Sequence, residues 1–174
     1  GSLDIYNGHL LAKNGDVVVV SINYRLGALG YLDFTEFAGE GEIFENNLGL
    51  RDQVASLKWV KENIEAFGGD PENVTIFGES AGGNAVTTLL TVPSARGLFK
   101  QAIAESPAPT SVYGKGFARQ FSERFLEILG YGKGEIHRLK TLPVQEIVAA
   151  SHQLLQENSQ EMPGSLAFGA VVDG

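Results

Sequence analysis

Cysteine is missing from this 174-residue sequence, and methionine and tryptophan occur once each. Without thiols there can be no disulfide, no thiolate zinc site and no cysteine nucleophile. Basic residues are in deficit as well: 13 Lys and Arg stand against 21 Asp and Glu, a formal charge of −8. The cationic footprint that nucleic acid or an anionic membrane surface requires is absent, so neither is expected as a partner. No run of 18 or more apolar residues is present to cross a bilayer. The N-terminus lacks the basic-then-apolar order of a secretory signal. Histidine, the usual catalytic base, is limited to His9, His137 and His152. What remains is 43% apolar and 20% charged, a soluble globular composition with enough apolar side chain for a core. The length suits one ordinary domain.

Along the chain, Val17–Asn23 is a β-branched run without polar alternation, which predicts a strand buried on both faces as in a parallel sheet. Residues 25–46 are rich in Gly, Glu and Phe without a clear period, which predicts a long loop with short turns. From Asn47 to Phe67 the character changes. Leu50, Val54, Leu57, Val60 and Ile64 follow helical spacing, Trp59 and Phe67 widen the face, and Gly68-Gly69-Asp70-Pro71 supplies the stop. Val74–Phe77 reads as a short strand, Asn84–Leu90 as helix and Gln101–Glu105 as a weaker strand. Two later helices carry apolar stripes: Phe117, Phe121, Phe125 and Ile128/Leu129, then Val144, Ile147, Val148, Ser151, Leu154 and Leu155. The tail Phe168–Gly174 is apolar with turn residues. Strands alternating with helices predict an α/β layer architecture.

One motif carries chemistry. Gly78-Glu79-Ser80-Ala81-Gly82 matches G-x-S-x-G, between a predicted strand and a predicted helix. That setting is what a nucleophile elbow requires. Glycines at 78 and 82 would let the strand and helix backbones pass closely. Ser80 would project its hydroxyl from the end of the sheet. The Ala81 N–H, at the helix N-terminus, would point to the same place as an oxyanion donor. The bland alternative is a Gly/Ser turn without chemistry.

A serine hydroxyl needs a base. Only His137 and His152 follow Ser80 in the Ser, acid, His order of this type of site. His137 adjoins Arg138 between a Gly-rich loop and a helix, and His152 lies beside an apolar stripe. Neither has a loop setting that suggests a catalytic base, and His9 reads as a surface turn residue. Among the acids, Glu105, Glu123, Glu127 and Glu135 follow the serine, three of them on helical faces where a solvated charge is the ordinary reading. The residues alone therefore give a nucleophile and no identified base.

Several blocks of this chain resemble the type B carboxylesterase, or cholinesterase-like, family. They are Asn23-Tyr24-Arg25-Leu26-Gly27 through Leu32, Asn47-Leu48-Gly49-Leu50-Arg51-Asp52-Gln53 with Leu57–Val60, and Phe67–Pro71. They continue with Val74–Phe77, the elbow, Gly97–Ile103 and the tail Phe168–Gly174. The resemblance is dense over residues 1–110 and thin over 111–165. It implies a partial α/β-hydrolase fold: a mostly parallel sheet with helices on both faces. The elbow portion would span 14–110 and a helical portion 111–165.

By the same resemblance, Ser80 corresponds to the acyl-accepting nucleophile and Ala81 to one oxyanion-hole donor. Glu79 corresponds to an acid bordering the active-site hydrogen-bond network. Ser106 corresponds to a serine supporting the triad, although Pro107 stands where the family has glycine. Arg25 and Asp52 correspond to a structural ion pair. The family's glycine-rich oxyanion loop lies upstream of this sequence, and its catalytic Glu and His lie downstream. The sequence thus resembles a window on a longer enzyme. The strand between those resembling 17–23 and 74–77 would be missing, exposing sheet edges, and an isolated chain is not expected to fold to a stable monomer. The implied activity is hydrolysis of small carboxylic esters with no metal or organic cofactor. A non-catalytic adhesion branch of the family and a compact hydrolase using His137 or His152 are the alternatives. Absence of cysteine suits a bacterial, cytoplasmic member better than secreted animal relatives.

Overall fold

The computed structural model describes residues 4–108, 111–162 and 165–173. Gly174, which closes the last block above, lies outside them, as does Thr110 near the expected boundary. The helices are α1 (His9–Gly15), α2 (Gly27–Tyr31), α3 (Leu48–Asn63), α4 (Ala81–Leu89), α5 (Lys115–Ile128) and α6 (Val144–Glu161). The strands are β1 (Thr75–Glu79), β2 (Gln101–Glu105), β3 (Val112–Tyr113) and β4 (Ala170–Val171). Two compact units result: Gly1–Tyr24 with Leu50–Pro109, and Arg25–Gly49 with Thr110–Gly174. The units are not sequential, because residues 25–49 join the C-terminal stretch rather than the elbow stretch.

In the first unit, β1 and β2 pair in parallel, with Thr75 opposite Gln101 through Glu79 opposite Glu105. Helix α4 connects them in space, packing on both strands. A parallel pair requires a crossover, and α4 with the turns after it supplies one. The other face is bare: Phe77 and Ile103 are neighbours in the ladder, and both are more than half exposed. Parallel sheets ordinarily bury both faces, and of the helices α4 makes the extensive packing on this sheet.

The expected stripe Leu50, Val54, Leu57, Val60 and Ile64 is buried. Trp59 and Phe67 instead lie at the surface, where their rings pack on each other with centroids 5.8 Å apart. The stop works as anticipated. Gly68 sits at φ 82°, and the N–H groups of Gly68 and Gly69 close back on Glu65 and Ile64.

Val17–Asn23 corrects the sequence reading, since no strand ladder includes it. Val17, Val18 and Val20 are exposed, and the Ser21 hydroxyl donates to the Tyr6 carbonyl. A β-branched run favours extended backbone, but a strand exists only where a neighbour accepts its hydrogen bonds.

The second unit is a helical layer around an aromatic core. Phe121, Phe125 and Leu126 of α5 and Ile147, Ala150 and Leu154 of α6 are buried in one cluster with Leu32, Phe34 and Phe37. On α6 the buried stripe is narrower than the sequence suggests, because Val144, Val148 and Leu155 are exposed. The stretch 25–46 is not wholly loop, for α2 and a 3-10 turn at Thr35–Phe37 lie within it. The tail contributes β4, which pairs in parallel with β3.

Buried polar groups tie the segment 25–49 to the rest of this unit. Asn47, buried and at φ 52°, uses its side-chain amide like a strand backbone. Its Nδ2 donates to the Val171 carbonyl at 2.8 Å, and its Oδ1 accepts from the Val171 N–H at 2.8 Å. Asp33 accepts from the Thr35 backbone and hydroxyl and from Asn46, while its carbonyl accepts from the buried Ser122 hydroxyl at 2.6 Å.

Candidate active site

Ser80 stands between the last residue of β1 and the first residue of α4, at φ 52° and ψ −113°. Non-glycine residues enter positive φ at a cost of about 1–2 kcal/mol, so the surroundings must enforce it. They do so in two ways. The Ser80 N–H extends the parallel ladder by one rung, donating to the Glu105 carbonyl at 2.9 Å. The Ser80 carbonyl accepts the Asn84 N–H at 2.9 Å, the first closed turn of α4. The side chain, fixed neither to strand nor to helix, is left exposed at the carboxyl end of β1.

The close packing behind the elbow has a specific geometry. A Cβ at Gly78 would meet the Gly82 carbonyl carbon and oxygen at 2.5 Å. A Cβ at Gly83 would lie 2.6 Å from the Glu105 carbonyl oxygen and 3.3 Å from that of Gly78. A Cβ at Gly82 would meet nothing within 4 Å. The pass between strand and helix therefore needs glycine at 78 and 83, whereas the sequence reading assigned it to 78 and 82.

Ala81 opens α4, so its N–H is among those without an acceptor inside the helix. The sharp turn brings that N–H and the Ser80 hydroxyl to the same end of the sheet. Glu79 ends β1 in register with Glu105, and both are exposed. One residue beyond this pair, Ser106 repeats the positive φ of Ser80, at 47°. The two serines thus end adjacent parallel strands side by side, although the chain between them runs for 25 residues.

A residue the sequence reading passed over joins them. Asn84, half-buried on α4, accepts the Ala108 N–H on its side-chain oxygen. No short-range pattern marks it; the signal is an amide one turn into a helix whose first turn holds two glycines.

Among the described residues no hydrogen bond reaches the Ser80 hydroxyl. His9 begins α1 in the first unit. His137 and His152 belong to the second unit, exposed on a 3-10 turn and on α6. Arg25 lines a cavity of about 350 Å³ in the second unit, among Ala28, Leu32, Phe34, Phe44 and Phe125. That lining holds neither serine nor histidine. Asp52 lies on α3, and both Arg25 and Asp52 have interaction partners. No group of three or more potential metal ligands occurs among the described residues, and no helix there is long and apolar enough to cross a membrane.

Known proteins resemble this chain. The carboxylesterase family description matches residues 1–174. The chain is 48% identical over 154 residues to the para-nitrobenzyl esterase of Bacillus subtilis (strain 168), a match covering 88% of this chain and 31% of that protein. It is 37% identical over 175 residues to neuroligin-2 of Mus musculus, covering 100% of this chain and 20% of that protein. Among solved structures, a thermophilic PNB esterase superposes with a TM-score of 0.89 at 44% identity, over 99% of this chain and 35% of that one. A carboxylesterase of Geobacillus stearothermophilus does so with a TM-score of 0.86 at 44% identity, over 100% and 35%. The chain therefore has the fold of these α/β-hydrolase esterases, seen in part, and spans about a third of the esterases' length.

Proposed function

The chain belongs to the carboxylesterase family, and on that footing we propose that the protein hydrolyses small carboxylic esters through an acyl-enzyme on Ser80. The observation that carries this reading is the elbow itself: an exposed serine held at positive φ between β1 and α4. Strain of this kind is retained where the surroundings over-determine it, and such residues cluster at reactive sites.

In this mechanism the Ser80 Oγ attacks the ester carbonyl carbon as a base takes its proton. The carbonyl electrons move to oxygen, and the Ala81 N–H donates to that oxyanion, aided by the positive end of α4. The tetrahedral adduct collapses, the alcohol leaves with the proton, and the acyl group stays on Ser80. Water then attacks the acyl-enzyme by the same route and releases the acid. The family resemblance assigns the base and its acidic partner to parts of the protein outside this chain. Glu79 and Ser106 would border the site, and Arg25 and Asp52 would serve the scaffold. No cofactor is required by any of these steps.

The test is labelling with a fluorophosphonate, which reacts only with an activated serine. The whole protein is expected to label, and Ser80→Ala to abolish both labelling and turnover of a p-nitrophenyl ester. The isolated 174-residue chain is expected not to label, since the family resemblance assigns the base to parts of the protein outside it. Strong labelling of that chain would overturn the external base and return His137 and His152 to consideration.

The similarity to neuroligin-2 favours a second reading, a non-catalytic adhesion or scaffold role on the same fold. The resemblance implies that such members lack the elbow serine, whereas Ser80 is intact here. A folded whole protein that fails to label would favour this reading over the first.

A further inference from the structure

We infer that Asn84 is a positioning residue that locks the turn bearing Ser106 against the nucleophile elbow; the inference rests on the esterase reading above. β1 and β2 end in register at Glu79 and Glu105, and the next residue of each strand, Ser80 and Ser106, lies at positive φ. Two adjacent turns of this kind must both be enforced from outside.

Ser80 has its enforcement in its own backbone bonds, to the Glu105 carbonyl and from the Asn84 N–H. Ser106 has no helix after it to serve the same purpose. The following residue is Pro107, which has no N–H to anchor the turn. The first donor beyond Ser106 is therefore the Ala108 N–H, and its acceptor is the Asn84 side-chain oxygen.

Asn84 is well placed to be rigid. Its N–H closes on Ser80, and its carbonyl accepts both the Thr87 hydroxyl at 2.9 Å and the Thr88 hydroxyl at 2.8 Å. Its neighbour Gly83 lets α4 lie directly against the Glu105 carbonyl. One residue thus grips the nucleophile through its backbone and the second serine turn through its side chain. Where the family has glycine after this serine, which can hold an unusual turn by itself, this chain has proline and an asparagine clamp.

The experiment uses the whole protein, with Asn84→Leu removing the acceptor at similar volume and Asn84→Asp restoring it. Two readouts are taken: p-nitrophenyl ester kinetics and hydrogen exchange at the Ala108 amide. Asn84→Leu is expected to lower kcat on the order of tenfold with KM within about twofold, as displaced catalytic surroundings do. The Ala108 amide should exchange slowly in the wild type and in Asn84→Asp, and quickly in Asn84→Leu. Asn84→Asp is expected to recover most of the kcat lost in Asn84→Leu. Equal kcat in the wild type and Asn84→Leu, or equal Ala108 exchange in all three proteins, would overturn the inference. If the wild type neither labels nor turns over ester, the esterase reading fails, and Ala108 exchange alone then decides whether the clamp exists.

Discussion

Asn47 offers the sharpest test of how the second unit is held together. It is buried, stands at φ 52°, and makes two bonds of 2.8 Å to the backbone of Val171 and one of 3.1 Å to the Asp173 carboxylate. Val171 is itself buried at 4% exposure, so removing the amide strands one donor and one acceptor away from water. Each stranded group costs about 1–3 kcal/mol. Alanine adds a further ~1 kcal/mol, because asparagine tolerates positive φ better. Asn47→Ala should therefore lose about 3–7 kcal/mol, a large part of the 5–15 kcal/mol that ordinary domains have. Asn47→Gly should lose about 1 kcal/mol less, since only the hydrogen bonds are gone.

Asn47→Asp separates the hydrogen-bond account from simple packing. It keeps the acceptor for the Val171 N–H but replaces the donor with an oxygen facing a carbonyl and a second carboxylate. The introduced carboxyl is held above its unfolded pKa of about 3.9. The sign follows from linkage: the penalty is full above the raised folded pKa and disappears as pH falls below the unfolded value. In acid the protonated carboxyl can donate to the Val171 carbonyl as the amide did. Urea denaturation of the whole protein at pH 7 and pH 4 measures this, with unchanged slope and a shifted midpoint. The deficit of Asn47→Asp should shrink in acid while that of Asn47→Ala stays constant. A cost below about 1 kcal/mol for Asn47→Ala, or no pH dependence for Asn47→Asp, would refute the reasoning.

Other substitutions follow from the same geometry. Gly83→Ala would set a methyl 2.6 Å from the Glu105 carbonyl oxygen, so ester turnover should fall by at least tenfold with a lower melting temperature. The exposed helical Gly116, with nothing within 4 Å of a Cβ, should instead gain about 0.5–1 kcal/mol on change to alanine by urea denaturation. Phe125→Ala empties the centre of the aromatic cluster, where Phe125 is 1% exposed and its ring lies 6.0 Å from that of Phe34. A loss of about 3–5 kcal/mol is expected in the same assay. Arg124 joins α5 to α6 through Glu157, and its hydrogen bonds, followed by that from Gln153, hold the Glu157 carboxyl below the usual carboxylate range. A depressed folded pKa gives stability that is present above the unfolded pKa of about 4.3 and lost as pH falls through the folded value. Thermal melts of Arg124→Met should thus lie below wild type at pH 7 and converge with it near pH 3.

What was legible in the sequence divides along a physical line. The buried faces of α3 and α5 could be read from spacing because a helix closes its hydrogen bonds within the segment. Only the choice of face depends on the rest of the chain. The elbow was legible for a similar reason, since strand, strained serine and helix are consecutive. The strand reading of Val17–Asn23 failed, and β4 at Ala170–Val171 went unseen, because a strand is defined by a neighbour that local pattern does not contain. Asn47 and Asn84 were illegible as anchors for the same cause: their partners lie 124 and 24 residues away. The sheet face carrying Phe77 and Ile103 shows the same division between local pattern and neighbour. It has the composition of a buried parallel sheet and more than half its apolar surface in water. Composition records the environment for which a segment was selected, and packing records the environment it has. Where the two disagree on a parallel sheet, the covering layer is what the segment needs. A covering layer over this face in the whole protein makes Phe77→Asp strongly destabilising there by urea denaturation, and a midpoint equal to wild type would refute it.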